Sequence, residues 1–459
     1  MTSTIRSRAV SAAAVLALLA TGCGRSDGGS KAAATTAAKA AAAATTAAPA
    51  AAAAVTTAVK AAVTTAASTT AAPAGPKKVK TDIGVDDKSI KLGVLTDQTG
   101  QFKVFGSTIV AGTQLFWKDQ NAKGGVCGRQ IELVIKDHGY DVNNAKPRYD
   151  EIKDQVLAMQ QVLGSPMNTK LLPDYTADKM SVIPVSWASS LLKNDYIVMA
   201  GPSYDVEMIN GYAFMVSDLG IKAGDKIGHI WQEGEYGQNG QAGAKYAAGK
   251  LGLTYIDVPI KPSDTDLTTQ VNNLLSQGVA AITVTSGPKQ SLSVTQTLEQ
   301  AGSKIPVVSS NPGFIIADGD AAKAMEAHFY LSAAAAPYTS ENPNVQKVVK
   351  EFEGDATYKD VTRGFSINFG YAIGELYADA LQKACDAGDL TRDGLHASFG
   401  KITSFDSGGL MGLLDYSKPN SIPSRTNYVA KYDPNQAGAL KVVKGDFASD
   451  IAKAYTIGA

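Results

Sequence analysis

One stretch of the chain, residues 89–137, limits the possible folds more than any other. Its sequence is SIKLGVLTDQTGQFKVFGSTIVAGTQLFWKDQNAKGGVCGRQIELVIKD, and it begins with a short apolar run typical of a strand inside a parallel sheet covered on both faces. A loop follows, then apolar residues at helical spacing that end at two glycines, and then a second apolar run. Strand, helix and strand in this order predict a right-handed parallel crossover.

The same pattern returns farther along the chain. A strand is predicted at residues 227–231, a loop at 232–240, a helix that ends at 251 and a strand at 255–260. The second half is therefore built like the first, and the sequence predicts two doubly wound α/β lobes with parallel sheets. We expect these boundaries: a signal peptide over 1–22, a tether over 23–81, lobe 1 over 82–216 and 333–409, and lobe 2 over 217–332 and 410–459.

The N-terminus has the features of an export signal. Arg6 and Arg8 precede an apolar run over residues 9–20, which is too short to span a bilayer. The run ends at Cys23 in a sequence that resembles a bacterial lipobox, whose cysteine carries a lipid anchor. The alternative is an ordinary signal that is cleaved nearby, with Cys23 unmodified.

The region after Cys23 is almost entirely alanine and threonine. Pro49, Pro73 and the threonine pairs interrupt any helix, and no apolar stripe is available to bury. This composition predicts a disordered tether that holds the folded part away from a membrane.

Charge and residue usage exclude several classes of function. Forty-three basic residues balance 43 acidic ones, so nothing favours nucleic acid. The four histidines stand apart from one another without ligand spacing, and the glycines of residues 237–243 match neither nucleotide fingerprint. We therefore expect no metal, no cofactor and no catalytic site.

Polar residues follow several predicted strands, where ligands of open α/β sheets bind. Ser165 and Thr169 follow the first of these strands, at the start of a helix, where unpaired amides and the helix dipole favour polar or anionic groups. They could equally serve only to cap that helix. Tyr236, Ser286 and Asn311 stand at three strand ends of the second lobe, so we expect a small solute to be enclosed between the lobes.

The opening motif and its continuation resemble a known family. Thr99-Gly100, the run NAKGGVCGRQIELVIKD and the following HGYDVNNA are similar to the type I periplasmic binding proteins of the leucine/isoleucine/valine-binding family, the solute receptors of ABC importers. The resemblance implies a three-segment hinge between the lobes and closure around the ligand. It also implies that Phe105 is an aromatic pocket residue and that Ala188 and Ser190 contact the ligand backbone.

Two positions differ from that family. Asn311 stands where the family has a carboxylate that holds an ammonium group, and residues 287–288 stand where it has an aromatic side chain. An ammonium buried without an anion would be costly. Asn311 is suited instead to a neutral amide or hydroxyl, because it both donates and accepts hydrogen bonds.

Cys127 and Cys385 both fall in lobe 1 under this assignment. In an exported protein they are expected to form a disulfide that ties the last segment of the lobe to its first. The alternative is two buried free thiols.

These observations favour a solute-binding lipoprotein of an ABC importer, outside the cytoplasm. We expect a monomer that takes an amino acid or amide and works with a permease and an ATPase on other chains. The alternatives are a sensor that passes closure to a signalling partner, and an enzyme that would turn over the bound solute.

Overall fold

The computed structural model describes residues 79–458. The predicted signal peptide (1–22), Cys23 and the tether up to residue 78 lie outside the described residues. Thirteen strands are present in the described part: β1 Lys80–Thr81, β2 Ser89–Thr96, β3 Gln130–Asp137, β4 Ala158–Leu163, β5 Val182–Val185, β6 Lys226–Gln232, β7 Thr254–Ile260, β8 Ala281–Thr285, β9 Val307–Ser310, β10 Phe329–Ala333, β11 Asp389–Leu390, β12 Asn427–Tyr432 and β13 Leu440–Phe447.

Twelve α-helices accompany these strands in the described residues: α1 Lys103–Ala122, α2 Val142–Ile152, α3 Ser165–Ala177, α4 Tyr204–Asp218, α5 Glu235–Leu251, α6 Thr268–Ser276, α7 Pro288–Gln300, α8 Gly319–His328, α9 Pro343–Gly354, α10 Phe365–Asp386, α11 Arg392–Phe399 and α12 Asp450–Ala454. Across residues 79–458, none of the helices has both the length and the apolar character needed to span a bilayer.

The first lobe is built on a parallel sheet of four strands in the order β3-β2-β4-β5. β2 pairs with β3 along its whole length, from Ser89 opposite Gln130 to Thr96 opposite Asp137. The predicted crossover at residues 89–137 is therefore confirmed. Its apolar run is buried on both faces because helices cover the sheet on both sides.

Helix α1 belongs to the first segment of this lobe and helix α10 to the last, and the backbones of the two helices are in direct contact. A Cβ atom on Gly112 would lie 2.1 Å from the carbonyl oxygen of Ile367, and one on Gly370 would lie 2.1 Å from that of Ile109. Thr113 Oγ1 donates to the carbonyl of Gly370 at 3.0 Å. Glycine is needed at both contacts because any side chain would separate the two helices.

The second lobe is built on a sheet of seven strands in the order β13-β12-β10-β9-β8-β6-β7. Strands β6 to β10 are parallel, which confirms the predicted repeat of the α/β pattern. β12 and β13 extend the sheet as an antiparallel hairpin that the sequence analysis did not predict. β10 still belongs to this sheet, so the second lobe extends to the end of that strand at Ala333. The boundary predicted after residue 332 lies one residue before this point.

Helix α4 belongs with the second sheet, although the predicted boundary at 216/217 assigned it to the first lobe. Tyr212 on this helix shares a hydrogen bond with Thr283 of β8 at 3.2 Å, and a Cβ on Gly211 would lie 3.1 Å from Val308 of β9. The first crossing between the lobes therefore comes before Tyr204. The boundary was misplaced because α4 is buried on almost every side, so its periodicity does not reveal which sheet covers it.

The predicted tether also ends earlier than residue 81. Lys80 and Thr81 form β1, which pairs in parallel with Asp389 and Leu390 of β11. The Lys80 amide also donates to the carbonyl of Gly388 at 3.0 Å. This partner is more than 300 residues away along the chain, so local composition gave no sign of it.

Three segments connect the lobes, close to residues 200, 335 and 410. The Ala336 amide donates to the carbonyl of Leu410 at 2.8 Å, and the Tyr416 hydroxyl donates to the carbonyl of Met199 at 2.8 Å. The predicted three-segment hinge is confirmed, and a main-chain hydrogen bond and a tyrosine hydroxyl hold its segments to one another.

Cys127 and Cys385 form a disulfide with their Cα atoms 6.0 Å apart. The prediction of a bond is confirmed, and the alternative of two free thiols is wrong. The bond joins the turn after α1 to the end of α10, and so closes the first lobe across its first and last segments.

Candidate functional site

A cleft of about 740 Å³ opens between the two lobes. The first lobe contributes the loop after β2 with the start of α1, and the segment 362–366 that leads into α10. The second lobe contributes the start of α7 and the segment 312–316 after β9. The apolar side chains that line the cleft come from both lobes: Phe102, Val104, Phe105, Pro288, Pro312, Phe314, Ile315, Ile316 and Phe365.

Aromatic rings form the floor of this cleft. The ring of Phe365 lies 6.0 Å from that of Phe105 and 6.1 Å from that of Phe314, which belongs to the opposite lobe. Val104 and Ile316, on opposite lobes, are 51% and 39% exposed and line the same cleft. Exposed large apolar side chains on facing walls are typical of a binding site for apolar groups.

The charged residues of the cleft are all basic. Lys103, Lys289 and Arg363 line it, and none of the described residues along its walls is acidic. Lys103 and Lys289 stand in the first turns of α1 and α7, where the helix dipole adds positive potential. Neither lysine has an ion-pair partner among the described residues, whereas Arg363 Nε donates to Glu353 Oε1 at 2.9 Å.

Of the predicted site residues, Phe105 lines the cleft. Tyr236, Ser165, Ser286 and Asn311 lie deeper, in a set of buried polar groups that we call the inner cluster, defined by Ser165, Tyr204, Glu207, Tyr236, Ser286, Ser310 and Asn311. The Tyr236 hydroxyl donates to the carbonyl of Ser286 at 3.0 Å and shares a hydrogen bond with Ser310 Oγ at 2.6 Å.

The inner cluster contains residues from both lobes. Ser165 on α3 shares a 2.6 Å hydrogen bond with Ser186 and interacts with the hydroxyl of Tyr204. The Tyr204 ring in turn lies 4.5 Å from that of Tyr236. Thr169, one turn along α3 from Ser165, has a buried Oγ1 that forms no hydrogen bond within residues 79–458.

Ala188 and Ser190 lie in the loop after β5 and do not line the cleft. Ala188 is fully buried and Ser190 is exposed. The residue between them, Ser189, forms the contact across the lobes: its amide donates to Asn239 Oδ1 at 3.2 Å, and its hydroxyl donates to Asp205 Oδ2 at 2.8 Å. Asn239 Nδ2 donates back to Ser189 Oγ at 2.6 Å. These bonds hold the lobes together beside the inner cluster, and no sequence motif marks Asn239 for that role.

Glu207 is a buried carboxyl that the sequence analysis missed. It is fully buried in α4 and its Oε2 accepts from the Asn311 amide at 3.1 Å. Its Oε1 and both polar side-chain atoms of Asn311 form no hydrogen bond with any described residue. Burial raises the pKa of Glu207 well above its ordinary value and so favours the protonated form. An acidic residue inside an otherwise apolar helix is the signal that could have pointed to it.

The raised pKa of Glu207 predicts a loss of stability as pH rises. Below the ordinary glutamate pKa of 4.5 the group is neutral whether the chain is folded or unfolded, so its ionisation does not change the free energy of unfolding. Above that value the unfolded chain ionises while the folded chain resists ionisation, so the free energy of unfolding falls until the folded pKa is passed. Urea unfolding of the parent and of Glu207→Gln, at about pH 5 and about pH 8, should show the larger decline in the parent. Equal declines in the free energy of unfolding of the two proteins would contradict this prediction.

The comparisons with known proteins agree with this architecture. A family model described as periplasmic binding protein matches residues 89–439. The chain belongs to this family. The resemblance to solute receptors is thereby confirmed, and the chain is a substrate-binding protein of the ABC-transporter type.

Solved structures show how far the similarity of this binding protein extends. A fatty acid ABC transporter substrate-binding protein from Thermomonospora curvata is 36% identical, with a TM-score of 0.79, over 83% of this chain and 98% of that one. A branched-chain amino acid ABC transporter protein from Thermus thermophilus with bound valine is 16% identical, with a TM-score of 0.70, over 81% and 99%.

A leucine-binding protein from Thermotoga maritima is 17% identical, with a TM-score of 0.66, over 79% of this chain and 99% of its own length. At these identities the valine- and leucine-binding structures show a shared fold alone. No match is found among curated proteins.

Proposed function

We propose that this binding protein captures an amphipathic anion with a long apolar body, such as a fatty acid, and delivers it to an ABC importer. The cleft of about 740 Å³ carries the proposal, because it combines apolar walls from both lobes with basic side chains and no acidic lining residue among those described. The relative that is 36% identical, a fatty acid substrate-binding protein, supports the same solute class.

The physical reasons are the burial of apolar surface and the placement of charge. Each methylene removed from water contributes about 0.8 kcal/mol, so an acyl chain along Phe105, Phe314 and Phe365 is bound strongly without hydrogen bonds. A carboxylate end is attracted by Lys103 and Lys289. The ammonium group of an amino acid would find no carboxylate on these walls, which argues against the amino acid predicted from the sequence.

A second candidate solute is nevertheless supported by the inner cluster. Glu207 Oε1 and both side-chain polar atoms of Asn311 are buried without hydrogen-bond partners among the described residues. Buried polar groups are normally paired, so an amino acid or amide that reached them would gain hydrogen bonds. An ammonium group there would need Glu207 to ionise on binding.

The mechanism we propose is closure about the three-segment hinge. A solute that contacts both lobes at once stabilises the closed form, since one lysine and part of the apolar wall come from each lobe. The permease would recognise that form, and an ATPase on another chain would drive import. We propose export of the chain, anchoring through a lipid on Cys23 and a monomeric state; a signalling partner in place of the permease is the alternative.

Titration of the delipidated full chain with palmitate and with leucine tests the solute class. Saturable palmitate binding at one site, with no heat from leucine, is the expected result. At a free palmitate concentration of 100 times the Kd, the free energy of unfolding should rise by about 2.7 kcal/mol, seen as a higher melting temperature. Leucine binding without palmitate binding would replace the proposal with the second candidate.

A further inference from the structure

Phe102 stands at the boundary between the cleft and the inner cluster. It lines the cleft, yet it is only 4% exposed. Its amide donates to Asp97 Oδ2 at 2.8 Å, and the same carboxylate accepts from the Thr99 amide at 3.2 Å. Asp97 thereby fixes the loop after β2, so the position of the Phe102 ring is set by the main chain.

The facing wall on the second lobe passes from the inner cluster to the cleft within three residues. Ser286 is fully buried and its carbonyl accepts from Tyr236, whereas Pro288 lines the cleft. Gly287 lies between them, and a Cβ atom built on it would be 3.7 Å from Cζ of Phe102. At this level the Phe102 ring lies against the Gly287 backbone, between the cleft and the inner cluster.

The segment after β9 repeats this arrangement. Asn311 is 1% exposed with its side-chain atoms unpaired in the described residues, while the next residue, Pro312, lines the cleft. The unpaired polar atoms of the inner cluster are therefore one residue away from an apolar wall.

The inner side of the Phe102 ring is covered by Tyr140. The two ring centroids are 4.5 Å apart and the rings are tilted by 58°. Burial raises the pKa of the Tyr140 hydroxyl, and the carboxylates of Asp97 and Glu235 raise it further. Because Glu235 begins α5 of the other lobe, Tyr140 lies across from the turn that carries Tyr236.

We propose that Phe102 is a partition that keeps the apolar cleft apart from the inner cluster and thereby determines which class of solute the protein accepts. The inference rests on the proposed function and adds to it a residue that sets specificity. With the ring in place, a solute in the cleft meets the side chains that line the cleft but does not reach the unpaired polar atoms of the inner cluster. Without it, the polar end of a small solute reaches Asn311 and Glu207, whose unpaired atoms gain partners.

The test compares Phe102→Ala and Phe102→Val with the parent, as full chains, by calorimetric titration with palmitate and with leucine. Both variants remove the ring atoms that reach Gly287, and the valine variant keeps a stiff apolar side chain if the alanine variant does not fold. Each should lose about tenfold in palmitate affinity, because part of the apolar wall is removed, and each should bind leucine where the parent does not. Val104→Ala is the matched control: it trims a nearby cleft side chain in the first turn of α1, and should weaken palmitate binding slightly without admitting leucine.

The outcomes separate this inference from the proposed function. Palmitate binding by the parent, with no gain of leucine binding in either folded Phe102 variant, overturns the partition alone. Leucine binding by the parent overturns the partition, since the intact ring then excludes nothing, and it overturns the proposed function as well if the parent does not bind palmitate. A parent that binds neither solute, with leucine binding gained in the variants, overturns the fatty acid proposal and supports the partition.

Discussion

Lys103→Glu combined with Lys289→Glu should lower palmitate affinity by about 100-fold or more. Each lysine offers one charge-assisted contact to the carboxylate, worth about 1.5 kcal/mol at such an exposed position, and reversal adds repulsion. The two side chains come from opposite lobes, so the variant also loses the attraction that draws the lobes together around the solute. Calorimetric titration at low salt measures the loss of palmitate affinity relative to the parent, and this loss should become smaller as added salt screens the charges.

A matched double variant keeps the change in net charge constant. Lys88 and Lys304 are exposed, lie one in each lobe and do not line the cleft. Lys88→Glu combined with Lys304→Glu should therefore leave palmitate affinity within about twofold of the parent. Equal losses in the two double variants would mean that the cleft lysines act only through net charge, and the placement of the carboxylate would have to be abandoned.

Removal of the disulfide should cost this protein about 2–5 kcal/mol of unfolding free energy. The bond spans 258 residues of sequence, so the unfolded chain without it gains a large loop-closure entropy. It also joins the turn after α1 to the end of α10, and these two helices form the contact that closes the first lobe. Urea unfolding of Cys127→Ala combined with Cys385→Ala, under non-reducing conditions, should show a lower midpoint and a steeper slope, because the unfolded chain without the bond is less compact.

Reductant provides the control for that measurement. It should lower the unfolding midpoint of the parent toward that of the double variant and leave the variant unchanged. A double variant as stable as the oxidised parent would show that the α1 and α10 contact alone holds the lobe together.

Most of the fold follows from patterns that are local in the chain. The apolar runs at β2, β6, β8 and β9 were recognisable because a strand buried on both faces does not alternate apolar with exposed polar positions. Handedness and parallel pairing then follow from chain connectivity. The β12–β13 hairpin was not predicted, because β13 alternates partly buried and exposed positions along a sheet edge and carries Lys441, Lys444 and Gly445.

The candidate site was predictable only in part. The family resemblance indicated Phe105 as a pocket residue. Strand ends indicated Ser165, Tyr236, Ser286 and Asn311, which lie in the inner cluster, because loops at the carboxyl edge of a parallel sheet converge. Glu207, Asn239 and Arg363 were missed, since each reaches the site from a helix or segment that no strand end identifies.

The sequence alone determined the repeated crossovers and the two lobes, because these depend on hydrophobic periodicity and on the order of elements along the chain. Its motifs carried the resemblance that indicated the family. Only the tertiary structure decided where the solute compartment lies and what lines it. The ring of Phe102 lies against the backbone of Gly287, and Lys103 lines the same cleft as Lys289, although more than 180 residues of chain separate the members of each pair. Such contacts depend on how two lobes close on each other, and no local pattern of residue types records that geometry.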